Sequence, residues 1–320
     1  MRIALVGATG TIGQAALRAL LQRGHAVTCF VRPGAGAAAA LASAGAAVRL
    51  VDIADPRSFA RDGFGAERYD AVMSCMASRT GAPKDAWAVD HRAHLDLLAA
   101  ARDAGASHFV QLSAICVQRP RLAFQHAKLA FEAQLTVSGM RYSIVRPTAF
   151  FKSLSGQIDR VRRGKPFLIF GTGELTACKP ISDGDLAAYL ADCLAEPARW
   201  NRVLPIGGPG PAITPRQQGE RLFSLLGRPA QFRSVPVGML DGIITALGVL
   251  SVVAPPLAEK AELARIGRYY ATESMLWLDP ETDRYDADRT PSTGTQTLFD
   301  YYAAVLAGDA APDLGAHSVF

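Results

Sequence analysis

The chain of 320 residues carries a formal net charge of +5, with 20% charged residues and 49% in the hydrophobic set, which is the composition of a globular protein with ample core. The positive charge is scattered, with no dense Lys/Arg stripe interleaved with aromatics, and this argues against nucleic acid as a partner. The five cysteines, Cys29, Cys75, Cys116, Cys178 and Cys193, are far apart, odd in number and free of CxxC or Cys/His clustering. Disulfide and metal frameworks are therefore not expected, and no metal ligand is singled out. The first strand begins at Ile3, leaving nothing that reads as a signal or transit peptide, so a reducing, bacterial-type cytoplasm is the expected location.

In chain order, short apolar runs predict strands at Ile3–Val6, Ala26–Val31, Ala47–Val51, Tyr69–Ser74, His108–Leu112 and Tyr142–Val145. Helical patterns at Ile12–Gln22, Lys84–Ala104 and Phe124–Val137 separate them, with an alanine-rich peripheral stretch over Ala35–Ala47. Strands alternating with helices imply βαβ units and hence a parallel sheet covered on both faces. The expected fold is α/β, a Rossmann-type doubly wound sheet over residues 1–150 with a smaller substrate-side lobe and returning sheet elements over 151–320. In the second half a helix is predicted from Phe150 to Arg163, a strand at Pro166–Phe170, a helix at Asp183–Leu194, a strand at Val203–Ile206 and a helix at Pro215–Leu226. Val237–Ala254 is strongly apolar, broken by Asp241 and stopped by Pro255-Pro256. It reads as an ordinary buried helix ahead of a membrane-surface or hydrophobic-substrate helix, and its length and internal charge argue against a span.

The first strand runs into Gly7-Ala8-Thr9-Gly10-Thr11-Ile12-Gly13, and a helix comes next. Glycines at this spacing make the tight turn, admit a pyrophosphate to the backbone and let helix pack on strand, while the helix N-terminus offers N–H groups to the phosphates. The strand–turn–helix context makes this a dinucleotide site, with Gly7, Thr9, Gly10, Thr11, Ile12 and Gly13 as its binding residues. Arg32 stands at the end of the second strand, where an acid would favour NADH; its guanidinium suits the 2′-phosphate of NADPH instead. Asp52, closing the third strand, reads as a loop or helix-capping residue before Pro56 or, as the resemblance of the glycine loop to short-chain dehydrogenase/reductases implies, as a contact of the adenine amino group.

The GxxGxxG spacing resembles extended and atypical short-chain dehydrogenase/reductases. That resemblance implies a serine at the end of the fifth strand and a Tyr-x-x-x-Lys on the next helix. Ser113 takes the first place, but the helix reads Phe124-Gln125-His126-Ala127-Lys128, with phenylalanine where the tyrosine is expected. Ser113 and Lys128 are thus the catalytic candidates, Lys128 also as a cofactor-binding residue; His126 points to another face. Without a phenol to protonate a carbonyl oxygen, alcohol–ketone chemistry is disfavoured. Reduction of an activated C=C bond needs a proton on carbon, which Lys128, a tyrosine, Cys116 or water can supply.

Longer stretches sharpen the resemblance: Ser74-Cys75-Met76-Ala77-Ser78-Arg79, Leu112-Ser113-Ala114-Ile115-Cys116-Val117-Gln118, Arg146-Pro147-Thr148-Ala149-Phe150-Phe151-Lys152, Cys178-Lys179-Pro180-Ile181-Ser182 and Gly267-Arg268-Tyr269-Tyr270-Ala271-Thr272-Glu273-Ser274-Met275-Leu276. The chain is similar over almost its whole length to the NADPH-dependent divinyl chlorophyllide a 8-vinyl-reductases. The resemblance implies reduction of the 8-vinyl group of a Mg-containing 3,8-divinyl chlorophyllide, or its protochlorophyllide precursor, to ethyl; the lack of the transit peptide that plant relatives carry favours a photosynthetic bacterial source, and peripheral contact with photosynthetic membranes stays open. The resemblance sets no oligomeric state. Phe124, Phe150, Phe151, Tyr269 and Tyr270 are candidate walls for a flat apolar substrate, and Lys152 and Arg268 candidate partners of its carboxylate. A non-catalytic NADP(H)-binding redox sensor, or a reductase of another conjugated alkene, is the competing reading.

Overall fold

The computed structural model describes residues 1–34, 36–251, 254 and 257–309. The chain opens with β1 (Arg2–Val6), α1 (Thr11–Gln22), β2 (Ala26–Val31), α2 (Ala38–Ser43) and β3 (Ala47–Leu50). It continues through β4 (Ala71–Ser74), α3 (Pro83–Ala86), α4 (His94–Asp103), β5 (His108–Leu112), α5 (Ala123–Thr136) and β6 (Arg141–Pro147). Two short helices, α6 (Phe151–Leu154) and α7 (Ile158–Arg162), precede β7 (Phe167–Phe170), α8 (Asp183–Asp192) and β8 (Arg202–Ile206). The remainder is α9 (Pro215–Leu225), β9 (Phe232–Val235), α10 (Val237–Leu250), α11 (Leu257–Thr272), β10 (Trp277–Asp279), β11 (Arg284–Asp286) and α12 (Leu298–Ala307).

The expected doubly wound sheet is present, seven-stranded in the order β3-β2-β1-β4-β5-β6-β8. The pairings among β1 to β6 are parallel, with Ile3 opposite Val27 and Ala71, and Phe109 opposite Val72 and Tyr142. Ile3, Leu5, Val72, Phe109 and Ile144 are wholly buried, as a sheet covered on both faces requires. Beside it Phe30, Phe64 and Tyr69 meet edge to face, with centroids 5.0 to 6.1 Å apart.

Two compact units emerge, one of Met1–Arg146 with Asp183–Leu204, the other of Pro147–Ser182 with the described part of the chain after Leu204. The division expected near residue 150 is therefore crossed more than once. The chain comes back to the first unit at α8, where Arg23, directly after α1, pairs with Asp192 at 2.6 Å. In the second unit β7 pairs in parallel with β9, a strand the sequence did not announce, and β10 and β11 form an antiparallel pair.

Three sequence-based expectations need correction. The helix expected over Phe150–Arg163 is two helices, because Ser155 turns its hydroxyl onto the Phe151 carbonyl at 2.7 Å and closes α6. The run Lys84–Ala104 is not one regular helix: a π-helical stretch, Trp87–Ala93, is inserted between α3 and α4. The apolar run from Val237 is a helix but not a buried one. No residue of α10 is buried, and Met239, Ile243, Val249 and Leu250 are exposed. An apolar sequence around most of the circumference carries no phase, so the pattern gave no sign of which face would find a partner. The end of that run, Val252, Val253, Pro255 and Pro256, lies outside the described residues. Among those described, no helix is long and apolar enough to cross a membrane.

Candidate active site

Parallel register brings the ends of β1 to β5 to one edge of the first unit, with the reversal of strand order between β1 and β4. Ligands of doubly wound sheets bind outside that edge, at the reversal. The glycine loop sits there. Gly7 has φ +82, and a Cβ on it would lie 2.5 Å from the Cys75 carbonyl carbon and oxygen, because the turn after β1 rests on the chain leaving β4. A Cβ on Gly13 would stand 2.1 Å from the Gly7 oxygen. Gly10 differs: the nearest atom to its would-be Cβ is 3.5 Å away, so space is kept there for something outside the fold. Gly10 is the N-cap of α1, with no side-chain cap and no acid in the first turn. An uncapped helix N-terminus bordered by open glycine backbone fits a diphosphate.

Arg32 comes directly after β2, exposed, and makes no ion pair among the described residues. Asp52 is exposed too; its Oδ1 accepts from the Ala54 amide at 2.9 Å and its amide donates to Ser58 Oγ, so it is at least a turn residue. The loop after β4 is held by two acids: Asp85 accepts from the Arg79 and Thr80 amides at 2.8 and 2.9 Å, and Asp90 Oδ1 from the Ser78 amide at 3.3 Å.

Lys128 is buried on α5, and its Nζ donates to Asp90 Oδ1 at 2.9 Å. Phe124 lies half-buried one turn earlier, and His126 is exposed, on a different face as expected. The start of α5 is fastened by Gln125, wholly buried, whose Oε1 accepts from the Arg121 and Leu122 amides while Nε2 donates to the Cys116 carbonyl at 3.0 Å. Ser113 is where the resemblance put it, at the end of β5, but its hydroxyl donates to Glu132 Oε1 at 2.5 Å, and Glu132 is paired with Arg146. That proton is committed to an internal carboxylate.

Below Lys128 lies a second polar group. His94 Nδ1 is 2.8 Å from the Val89 carbonyl, which can only accept, so Nδ1 carries the proton and Nε2 accepts from Ser74 Oγ at 2.9 Å. Burial, with the Lys128 charge adding to it, pushes the His94 pKa down to about 4. Burial, aided by Arg141, does the same to His108. Both histidines fold neutral, whereas in the unfolded chain they titrate near 6.5. Their stabilisation is complete above pH 6.5 and is lost as the pH falls toward 4, because only the unfolded chain takes up the protons. Urea unfolding followed from pH 7 to 5 is expected to show a loss of roughly 2 kcal/mol per histidine. A midpoint that does not move over that range would contradict it.

In the second unit Phe151 is in the core, 5.5 Å from the Tyr301 ring, and Tyr269 is buried against Tyr270, which is exposed. Phe151 and Tyr269, expected as substrate walls, are therefore packing residues here; Phe150 and Lys152 are half-buried. Arg268, expected to meet a carboxylate of the substrate, meets that of Asp241 on α10. Asp90, Gln125, Glu132 and His94 are not evident from sequence alone. Asp90 had one usable signal, an acid inside the predicted helix Lys84–Ala104 directly after Ala88-Val89.

The NAD(P)H-binding family matches residues 7–197. The chain is 47% identical over 333 residues to the chloroplastic divinyl chlorophyllide a 8-vinyl-reductase of Oryza sativa subsp. indica, covering 99% of this chain and 82% of that one. It is 49% identical to the enzyme of the same name from Cucumis sativus, covering 99% and 79%. Among solved structures it is similar to an NADPH-dependent quinone oxidoreductase from Escherichia coli complexed with NADPH, with TM-score 0.67, 19% identity and coverage of 95% and 99%. The triphenylmethane reductase of Citrobacter sp. complexed with NADP(H) gives TM-score 0.67, 18% identity and coverage of 95% and 100%. At such identities these structures speak for the fold alone. The fold, the glycine loop and the near full-length likeness to named relatives agree: this chain belongs to the NAD(P)H-binding proteins and, within them, to the divinyl chlorophyllide a 8-vinyl-reductase family.

Proposed function

We propose that the chain reduces the 8-vinyl group of 3,8-divinyl chlorophyllide a, or of its protochlorophyllide precursor, to ethyl at the expense of NADPH. The observation that carries this is the 46–49% identity to 8-vinyl-reductases across 98–99% of the chain. Bound NADPH would supply the hydride, and one proton completes the change from –CH=CH2 to –CH2CH3. Gly7, Thr9, Gly10, Thr11, Ile12 and Gly13 would hold its diphosphate, Arg32 its 2′-phosphate, and Asp52 its adenine end.

Lys128 brings a cation to the edge where the strands end. Negative charge developing in a conjugated macrocycle is stabilised by such a fixed charge in a site that excludes water. No phenol stands at position 124, which fits a reaction in which no carbonyl oxygen has to be protonated. Ser113 contributes by fixing the end of β5 through Glu132 and Arg146. Of the candidate walls, Phe124 in the first unit is half-buried, as is Phe150 in the second, where Tyr270 is exposed; Lys152 is the candidate for the carboxylate of the pigment.

The test is the protein with NADPH and 3,8-divinyl chlorophyllide a, monitored by absorbance and chromatography. A blue-shifted Soret band, an 8-ethyl product and matching NADPH oxidation are expected, with NADH a poorer donor. NADPH binding without product would turn the reading toward a redox sensor or another alkene.

The exposed apolar residues of α10 support peripheral contact with a lipid surface as part of the same reading. Co-sedimentation with anionic vesicles is expected, reduced severalfold by Val249→Asp; protein that stays in the supernatant would refute it.

A further inference from the structure

We infer that Asp90 is the positioning residue of the active site, acting on the reaction through Lys128. The inference rests on the reading of Lys128 as the functional cation, and it concerns what fixes that cation in place.

A lysine ammonium on a four-carbon stem has much rotamer freedom, and a half-open site edge would leave its charge spread over several positions. Here the Nζ is fixed by a single buried carboxylate oxygen at 2.9 Å. Asp90 is itself immobilised, with its side chain 0% exposed and Oδ1 also taking the Ser78 amide from the loop after β4. Its other oxygen, Oδ2, is buried and has no hydrogen-bond partner among the described residues. An isolated carboxylate in that state is costly, and the cost is met only while the ammonium stays beside it. With the second oxygen bare, the carboxylate is held by two donors on Oδ1, the Ser78 amide and the Lys128 ammonium, and of these only the ammonium carries a charge.

The backbone shows how Asp90 comes to face α5. It lies within the π-helical stretch Trp87–Ala93, which is packed against α5. Such wide turns concentrate at functional sites because they redirect side chains that a regular helix would aim elsewhere. The same stretch also holds His94, whose imidazole proton goes to the Val89 carbonyl. With Phe124 one turn before it, Lys128 has no phenol on its own helix to bear against, and the acid on the neighbouring turn does that work instead.

A double-mutant cycle tests this. Asp90→Asn keeps the shape and an acceptor for Nζ and for the Ser78 amide but removes the charge. It is expected to lower kcat about 10- to 100-fold, with the NADPH Kd, read by nucleotide fluorescence, changed less than about threefold. In the Lys128→Met background the same change is expected to lower kcat no further and to raise the unfolding midpoint, because it removes the stranded carboxylate. Effects on kcat that multiply, or an Asp90→Asn protein with full kcat, would overturn the inference. If the unsubstituted protein turns over no divinyl chlorophyllide, the proposed substrate fails while the cycle in unfolding midpoint still reports on the pair. Absence of coupling there overturns the inference by itself.

Discussion

Lys128→Met is expected to lower turnover of the divinyl substrate by roughly 10²- to 10⁴-fold, the range for loss of a group that acts only as charge or a proton moves in the transition state. NADPH affinity should fall far less, since the loop and Arg32 are untouched. The substitution also has a cost in stability. Asp90 would be left as an unpaired buried carboxylate, and breaking such a pair from one side costs roughly 3–5 kcal/mol. Activity and stability therefore have to be measured together, by initial rates and by urea unfolding. Where Lys128→Met proves too unstable to assay, the doubly substituted protein, lacking both charges, is the sample in which the loss of turnover is read. Full turnover with normal NADPH affinity in either protein would remove Lys128 from the site.

The second large effect is at Gly13. An added Cβ there would stand 2.1 Å from the Gly7 oxygen and 2.8 Å from the Ala8 Cα, both backbone atoms with nowhere to move. Gly13→Ala is expected to push α1 away from β1, to weaken NADPH binding at least about 100-fold and to lower the thermal midpoint by several degrees. Gly10→Ala is the control. Its Cβ meets nothing nearer than 3.5 Å, so the fold should keep its midpoint while NADPH binding still suffers, because the methyl group occupies space the diphosphate needs. Nucleotide titration and thermal unfolding of the two variants separate the glycine that packs from the glycine that stays open. Equal loss of midpoint in both would show that the loop is rigid for reasons other than these contacts.

How much of the fold is legible in the sequence depends on how much of the information is local. His108–Leu112 is a strand to the residue, and α1, α5 and α9 begin or end within one residue of their expected limits, because apolar runs, turn residues and helical period are written along the chain. The glycine loop was legible for the same reason: all its constraints lie within seven consecutive residues. Less local facts were not. The parallel partnership of β7 with β9 joins strands about 65 residues apart, and nothing in either short run names the other. The exposure of α10 depends on what packs against it. In the site, Lys128 is legible because the resemblance implies a lysine four residues after position 124, but Asp90 is not, because its partnership crosses from one helix to another. The commitment of the Ser113 hydroxyl to Glu132 was hidden likewise, since β5 and α5 meet only in the folded chain.

The π-helical stretch has a consequence for how this chain tolerates insertions and deletions. A turn closed by i→i+5 bonds holds one residue more than an α-turn of similar height. Deleting one residue between Trp87 and Ala93 would let α3 run into α4 as a continuous α-helix, still helical and still apolar on one side. It would also rotate the segment before the deletion by about 100° relative to the segment after it. A deletion at His91 or Arg92 falls between Asp90 and His94, so the carboxylate would leave the ammonium while the imidazole kept its place. Length at this point in the chain is thus a functional character in its own right. In a relative one residue shorter there, an aspartate aligned with Asp90 would be a homologous letter with a different address.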